Sequence, residues 1–286
     1  MYDIIIIGAG PAGISAAIYC KRAGMNTVVL YHGDSEIQKA HKVDNYYGFV
    51  NGIEGEELYN NGIKQAKNLG IEVLEKEITN IRINEDLSFT VNGENETFVG
   101  KSVIIATGNK KISPNIEGIK EFEGKGISYC AICDGFFYKN KDVVVIGNGN
   151  YAISEANELA NIVNSIRILT NGKQSPKTDI YEIDTRKIKQ IHGEKKVTSI
   201  EFEDRDILKV DGIFIAEGIA GGSNFARKLG IITNGDNIVV DENMQTNIQG
   251  IFACGNLTGG LLQINKAAYE GAKAGLEATN YVKSFK

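Results

Sequence analysis

The sequence has few cysteines, histidines and prolines and no excess of positive charge. Its 4 cysteines are too few for a disulfide scaffold in 286 residues, and its 3 scattered histidines leave little material for a structural zinc site. A net charge of −5 excludes the overall basic field that holds nucleic acids or anionic membranes. The apolar runs have strand length, well short of the roughly 18 residues of a membrane span. With no basic leader before the first apolar run, we expect a cytoplasmic protein without nucleic-acid or membrane partners.

Glycine is abundant, and it clusters where apolar strands end. A strand predicted over residues 3–7 leads into a helix through the run Gly8-Ala9-Gly10-Pro11-Ala12-Gly13. GxGxxG between a strand and a helix is typical of a dinucleotide-binding βαβ unit. Gly8 permits the turn, Gly10 lets the backbone approach a pyrophosphate, Gly13 lets the helix lie close to the strand, and Pro11 suits the first helical turn. The alternative is a glycine-rich turn without a ligand.

The same pattern returns in the second half of the chain. A strand over residues 142–146 leads into a helix through the run Gly147-Asn148-Gly149-Asn150-Tyr151-Ala152, and another strand follows over residues 165–169. The length also suits about two domains. We predict an α/β protein with two Rossmann-like, three-layer dinucleotide-binding domains, the second inserted into the first. The predicted first domain comprises residues 1–111 and 239–286, and the predicted insertion comprises residues 112–238.

A pair of cysteines precedes the second glycine-rich turn, in the run Cys130-Ala131-Ile132-Cys133-Asp134-Gly135. A CxxC spacing is typical either of half a metal site or of a dithiol/disulfide pair. A metal site needs about two further ligands, and Cys20 and Cys254 lie in apolar segments as small buried hydrophobes. We therefore predict no metal and favour a redox pair over an inert one. Asp134 is a candidate acid/base, with helix capping as the alternative.

Together these motifs resemble the low-molecular-weight thioredoxin reductase family over nearly the whole chain. The resemblance is carried by both glycine-rich turns, Ala106-Thr107-Gly108, Cys130-Ala131-Ile132-Cys133-Asp134-Gly135-Phe136-Phe137, and Gly255 with Gln263. It implies a homodimer with FAD and a redox disulfide that passes electrons to thioredoxin. By the same resemblance Cys133 faces the flavin, Cys130 attacks the substrate disulfide and Asp134 manages the proton. The implied FAD-binding residues are Gly8, Gly10, Pro11, Ala12, Gly13, Asn45, Ala106, Thr107, Gly108, Gly255, Asn256 and Gln263.

The second dinucleotide fold departs from relatives that use NADPH. Those relatives carry a His-Arg-Arg cluster after this βαβ unit, because a 2′-phosphate requires planar, bidentate cations. Here the strand runs into Thr170-Asn171-Gly172-Lys173-Gln174-Ser175, where Lys173 is a weak substitute. Asn148 and Tyr151 replace smaller residues, and Glu217 adds negative charge. These departures predict that the fold is retained while its pyridine nucleotide is lost.

A degenerate second site beside a CxxC resembles the ferredoxin-dependent flavin thioredoxin reductases. That resemblance implies reduced ferredoxin as the electron donor, which FAD suits because it accepts single electrons and passes on a pair. Ferredoxins are generally acidic, so docking requires a local basic patch. The candidates are Lys39 with Lys42 and Lys110 with Lys111, and solvated surface lysines are the alternative.

Two further departures fall in the predicted flavin site. Asn256 stands where relatives have Asp, and Leu262 where they have Arg, so we expect an altered rather than abolished flavin environment. Three functions stay open. They are a ferredoxin-driven thioredoxin reductase, an NADPH-dependent thioredoxin reductase, and a flavin redox sensor without turnover.

Overall fold

The computed structural model describes residues 1–94, 96–108, 114–218, 220–235 and 237–285. The chain packs into two compact units: unit 1 is Met1–Lys110 with Gly221–Lys286, and unit 2 is Lys111–Ala220. The predicted second domain boundary, between residues 238 and 239, lies further along the chain than the boundary between these units. The predicted limits of the functional domains stay predictions.

Unit 1 is built around a largely parallel sheet. Its first elements are β1 (Tyr2–Ile7), α1 (Pro11–Arg22), β2 (Thr27–Tyr31), α2 (Gly55–Asn68), β3 (Glu72–Glu75), β4 (Ile78–Ile83), β5 (Phe89–Gly93) and β6 (Thr97–Ile105). The sheet order is β3-β2-β1-β6-β5-β4. β1 lies between β2 and β6, with Ile7 beside Leu30 and Ile105. Its last four residues are buried, as expected for an apolar run at the centre of a parallel sheet.

Unit 2 contains a second parallel sheet and a small antiparallel one. Its elements are α3 (Ile119–Phe122), β7 (Ile127–Ser128), α4 (Ala131–Asp134), β8 (Asp142–Ile146), α5 (Asn150–Leu159), β9 (Ser165–Leu169), β10 (Glu182–Asp184), β11 (Ile188–Gly193), β12 (Val197–Phe202), β13 (Ile207–Lys209) and β14 (Gly212–Ile215). The parallel order is β10-β9-β8-β14-β7, so β9 and β14 flank β8. β11, β12 and β13 form the antiparallel sheet.

The chain then returns to unit 1. The remaining elements are α6 (Gly222–Leu229), β15 (Thr233–Asn234), β16 (Asn237–Ile238), β17 (Ile251–Ala253) and α7 (Ile264–Lys283). β17 pairs in parallel with the second half of β6. α7 packs closely on α1. Gly271 permits this approach, because a Cβ at its position would collide with the backbone carbonyl of Ala12.

The predicted fold class is confirmed. Both glycine-rich runs lie between a strand and a helix, and the strand predictions at residues 142–146 and 165–169 match β8 and β9. In the described part of the chain, every helix is too short or too polar to cross a membrane.

Candidate active site

Unit 1 brings three short loops to one edge of its sheet. Gly8 follows β1, Ala106 follows β6, and Gly255 lies two residues after β17. Because β1, β6 and β17 are parallel neighbours, these loops share the carboxyl edge, where open α/β sheets bind nucleotides. The sequence predicted residues from all three loops as FAD contacts.

The geometry of the first loop fits a dinucleotide. Gly8 has φ +116°, a conformation that favours glycine, and a Cβ there would collide with the carbonyl of Ala106. A Cβ at Gly13 would collide with the carbonyl of Gly8, so this glycine lets the helix approach the turn. The only atom within 4 Å of a Cβ built at Gly10 would be Ser35 Oγ, at 3.4 Å. The space before the α1 N-terminus therefore suits a pyrophosphate.

Two predicted flavin residues from distant parts of the chain meet in unit 1. Asn45 Nδ2 donates to Gln263 Oε1 at 2.9 Å, and the side-chain amide of Asn265 reaches the Asn45 carbonyl at 3.5 Å. A third, Thr107, accepts the N–H of Gly222 at 2.9 Å through its Oγ1. The individual roles of these residues toward FAD stay predictions.

A buried ion pair on α7 supports the third loop. Lys266 Nζ lies 3.0 Å from Glu270 Oε2 and donates to the carbonyl of Gly255 and the hydroxyl of Thr258, both at 2.7 Å. Glu270 Oε2 accepts the N–H of Gly255 at 2.9 Å and the Thr258 hydroxyl at 2.8 Å. Two charged side chains of α7 thus hold the turn over Gly255–Thr258 in place.

In unit 2, Cys130 and Cys133 form a disulfide at the start of α4, with Cα atoms 5.3 Å apart. Cys130 is buried and Cys133 is exposed. The N–H of Cys133 donates to Cys130 Sγ at 3.2 Å, so a thiolate formed at Cys130 on reduction has a donor in place. The roles that the resemblance gives to the two sulfurs stay predictions.

Ser128 connects Asp134 to the disulfide turn. Its hydroxyl donates to Asp134 Oδ2 at 2.6 Å, and its Oγ accepts the N–H of Cys130 at 3.1 Å. Burial, and then the nearby charge of Asp134, raises the pKa of Tyr138 above its ordinary value. Because Ser128 contacts it, the partly buried Asp134 carboxyl has a fixed orientation close to the disulfide turn.

Glu155 of α5 contacts the same turn from the other side. Its Oε2 accepts the N–H of Ala131 at 2.7 Å, and the residue is 1% exposed. The sequence analysis missed Glu155, although an acidic residue among apolar neighbours at helical spacing was a usable signal. It also missed Ser128, whose position two residues before Cys130 was the corresponding signal.

The glycine-rich turn of unit 2 is flanked by an ion pair. Lys173, four residues after β9, pairs with Glu217, two residues after β14. The Glu217 side chain is 4% exposed, and its Oε2 is buried without a hydrogen-bond partner among the described residues. The pair therefore links the segments that follow β9 and β14, the two strands that flank β8, and β8 itself leads into the turn of residues 147–149.

Other predicted features are placed as follows. Cys20 and Cys254 are free and buried as predicted, and burial raises the pKa of Cys20 to about 12. Lys39 pairs with Glu36, and Lys42 with Asp44. The other predicted docking pair, at residues 110 and 111, lies outside the described residues. The described chain holds no group of three or more acidic, histidine or cysteine side chains placed to bind a metal ion.

Comparison with known proteins identifies the family of the chain. The sequence profile of the family "Pyridine nucleotide-disulphide oxidoreductase" matches residues 2–271. A thioredoxin reductase of Listeria innocua is 34% identical over 306 residues, covering 100% of this chain and 95% of that protein. The chain therefore belongs to this family, among the low-molecular-weight thioredoxin reductases. Their members are FAD-binding flavoproteins, and the open cradle at Gly10 fits that cofactor.

Two solved structures resemble the chain over almost its full length. The atypical thioredoxin reductase TRi from Desulfovibrio vulgaris Hildenborough has a TM-score of 0.94 and 37% identity, with 99% of each chain covered. A ferredoxin-flavin thioredoxin reductase from Clostridium acetobutylicum has a TM-score of 0.73 and 31% identity, covering 99% of this chain and 98% of that one. The chain is therefore a flavoprotein disulfide reductase of the thioredoxin reductase type, with its cysteine pair disulfide-bonded.

Proposed function

We propose that this protein reduces the disulfide of a thioredoxin through Cys130 and Cys133, with electrons supplied by reduced ferredoxin and not by NADPH. FAD would be held by the three loops of unit 1, and the working form would be a homodimer, as the family resemblance implies. The observation that carries the choice of donor is the ion pair between Lys173 and Glu217.

That ion pair removes the cation that a nucleotide phosphate would use. Lys173 is the first basic residue after β9, the strand whose end faces the adenosine ribose in a dinucleotide fold. Its ammonium group is neutralised by a buried carboxylate that follows β14. A 2′-phosphate would gain this cation only by displacing the Glu217 carboxylate from Lys173.

Two arginines on or just after the neighbouring strands β9 and β10 already have carboxylate partners. Arg167 lies 2.8 Å from Glu182, and Arg186 lies 2.7 Å from both Asp184 and Asp206. Binding a phosphate with either guanidinium would first require breaking such a pair. This supports the proposal that the second fold does not take up NADPH.

Tyr151 is consistent with the same proposal. It is the second residue of α5 and is 1% exposed, so its ring occupies space within unit 2 next to the glycine-rich turn. That the ring crowds a pyrophosphate stays a prediction.

The chain's own residues supply the acid/base part of thiol chemistry. When bound, FAD supplies the ability to accept single electrons and to deliver a pair. Reducing the disulfide breaks the Sγ–Sγ bond and takes up two electrons and two protons. In this proposal Asp134 holds a proton close to Cys130, and the contacts of Ser128 with both the Asp134 carboxyl and the Cys130 N–H support that role. The N–H of Cys133 stabilises negative charge on Cys130 Sγ.

One observation favours NADPH as a second candidate donor. The glycine scaffold of unit 2 is intact: a Cβ at Gly147 would collide with the carbonyl of Ala216, and Gly149 directly precedes α5. The helix N-terminus that holds a pyrophosphate in such folds is therefore present.

Anaerobic stopped-flow spectroscopy distinguishes the two donors. The FAD-loaded protein is mixed with NADPH or with photochemically reduced ferredoxin, and the oxidised flavin band is followed. We expect bleaching with ferredoxin and none with NADPH, and prompt bleaching by NADPH would contradict the proposal. Catalytic amounts should then reduce thioredoxin, whereas absence of turnover would indicate a sensor. A Cys133→Ser variant should retain FAD and lose turnover.

A further inference from the structure

Glu155 is a buried carboxylate in direct contact with the redox-active turn. It lies on the buried face of α5, one turn beyond Tyr151 and next to Ala156. Its Oε2 accepts the N–H of Ala131 at 2.7 Å, and Ala131 follows Cys130 directly. A buried carboxylate is therefore one peptide unit away from the cysteine whose sulfur is held inside unit 2.

Positioning α4 does not by itself require a carboxylate. The amide oxygen of a glutamine would accept the same N–H bond, and burying a carboxylate is unfavourable unless its charge is compensated. The property that glutamate adds at this position is its negative charge. That charge acts in a region of low dielectric, where its effect on a neighbouring thiolate is large.

We propose that Glu155 is a positioning residue whose charge makes the Cys130–Cys133 pair a stronger reductant. Reduction of the disulfide yields two thiols, and ionisation of the Cys130 thiol adds a thiolate on the residue that precedes the Ala131 N–H bonded to Glu155. A nearby carboxylate disfavours that thiolate and so destabilises the reduced form relative to the disulfide. The thiol–disulfide exchange equilibrium with another protein then shifts toward reduction of that protein's disulfide.

A hydrogen-bond donor to the sulfur limits the effect. The N–H of Cys133 contacts Cys130 Sγ at 3.2 Å and favours the thiolate. We therefore expect removal of the Glu155 charge to change the equilibrium constant by about tenfold, which corresponds to about 30 mV for a two-electron couple.

This inference rests on the redox role of the disulfide within the proposed function and not on the identity of the electron donor. Bleaching of the flavin by NADPH would overturn the proposal that ferredoxin is the donor, and it would not bear on the proposed role of Glu155. An unchanged potential in the variants below would overturn the role of Glu155 and leave the donor untouched.

The test compares Glu155→Gln with Glu155→Asp in the full-length, FAD-loaded protein. Each is equilibrated in dithiothreitol buffers of graded potential, and the free thiols are trapped with a maleimide and counted by mass. Gln keeps the acceptor and removes the charge, whereas Asp keeps the charge on a side chain too short for the same bond. Glu158→Gln, on the same helix, is the matched control.

We expect Glu155→Gln to favour the dithiol about tenfold, with Glu155→Asp and Glu158→Gln within twofold of the unaltered protein. The reverse order, with Gln unchanged and Asp shifted, would mean that only the hydrogen bond matters and would overturn the proposal. Equal potentials in all variants would overturn it as well. If Gln gives no cooperative melting transition, Glu155→Met replaces it as the charge-free variant, and like Asp it lacks the hydrogen bond. A tenfold shift toward the dithiol in Met with Asp unchanged supports the proposal, and equal potentials in Met and Asp overturn it.

Discussion

Ser128 joins two chemical groups of the redox turn that the chain separates by four residues. The Ser128 hydroxyl donates to Asp134, and its oxygen accepts the N–H of Cys130. A short side chain at the end of β7 therefore links the Asp134 carboxyl to the backbone of Cys130. Catalytic groups held this way lose rate when their support is removed, even if they are retained themselves.

Replacing Ser128 by alanine should lower the rate of thioredoxin reduction roughly tenfold, because Asp134 loses its orienting donor. FAD content should not change, since the flavin site is built from unit 1. Steady-state turnover with thioredoxin measures the first effect and the flavin spectrum the second. Ser128→Thr keeps the hydroxyl and should recover most of the rate. Equal turnover in the alanine variant would show that Asp134 does not depend on Ser128.

Asp184 should contribute a pH-dependent part of stability. The hydrogen bond from Arg186, which also stacks on the Phe202 ring at 3.9 Å, lowers the pKa of Asp184 below its ordinary 3.8. A carboxyl with a lowered folded-state pKa stabilises the fold above that ordinary value and loses the contribution as the pH falls through the folded pKa. Solvent screening limits the contribution to about 1 kcal/mol.

We therefore expect the melting temperature of the unaltered protein to fall more steeply below pH 4 than that of an Asp184→Asn variant. Melting followed by circular dichroism between pH 3 and 7 is the measurement. Glu203→Gln, which breaks an exposed pair with Lys187, serves as the control. Its melting temperature should depend on pH in the same way as that of the unaltered protein. Parallel curves for Asp184→Asn and the unaltered protein would contradict the linkage.

Residues within short motifs were predictable, whereas their partners from other elements were not. Cys130, Cys133 and the glycines of the first turn follow from spacing, because each acts through its own backbone and immediate neighbours. Lys173 and Glu217 were each noted from the sequence, but their pairing spans 44 residues and depends on β9 and β14 flanking β8. Strand order is set by long-range packing, which a local pattern does not encode.

At the scale of elements, α7 supports the turn over Gly255–Thr258, one of the three loops proposed to hold FAD. Lys266 and Glu270 lie one helical turn apart, with side chains 15% and 11% exposed, and both contact the turn over Gly255–Thr258. The helix itself is fixed by its close packing on α1, which Gly271 and Gly275 permit. The position of the loop therefore depends on the helix that follows it.

Lys266→Met should weaken both FAD binding and the fold. The change leaves the buried Glu270 carboxylate without its cation, and breaking a buried pair in this way costs about 3–5 kcal/mol. We expect at least a tenfold weaker FAD affinity, measured by the fluorescence of released flavin, and a lower urea midpoint. Lys273→Met, further along the same helix, is the matched control. If Lys266→Met retains FAD as tightly as that control, the ion pair does not support the loop.

Element prediction succeeded where strand and glycine signals coincided. β8, β9 and the start of α1 match the sequence expectation because an apolar run ending in glycine leaves few alternatives. The α1–α7 contact was not predictable, since the small residues of α7 permit close packing only with a partner helix that the local sequence does not identify. The second unit boundary was equally hidden, because residues 221–238 carry no linker composition and are grouped by their contacts alone.

At the scale of the whole molecule, charge distribution bears on the encounter with the electron donor. The net charge is −5, and the two described lysines proposed for docking are paired with Glu36 and Asp44. An acidic partner approaching the protein therefore meets net repulsion and no free basic patch at Lys39 or Lys42. Long-range repulsion is weakened by salt, since the Debye length falls from about 30 Å at 0.01 M to about 8 Å at 0.15 M.

The rate of flavin reduction by an acidic ferredoxin should consequently rise with ionic strength. We expect a several-fold increase in the second-order rate constant between 10 and 200 mM NaCl, measured by anaerobic stopped flow. An uncharged photoreductant provides the control and should show no salt dependence. Lys39→Gln and Lys42→Gln should change the salt dependence little, because each lysine is already neutralised. A rate that falls steeply with salt would mean that a basic docking surface outside these two lysines attracts the donor.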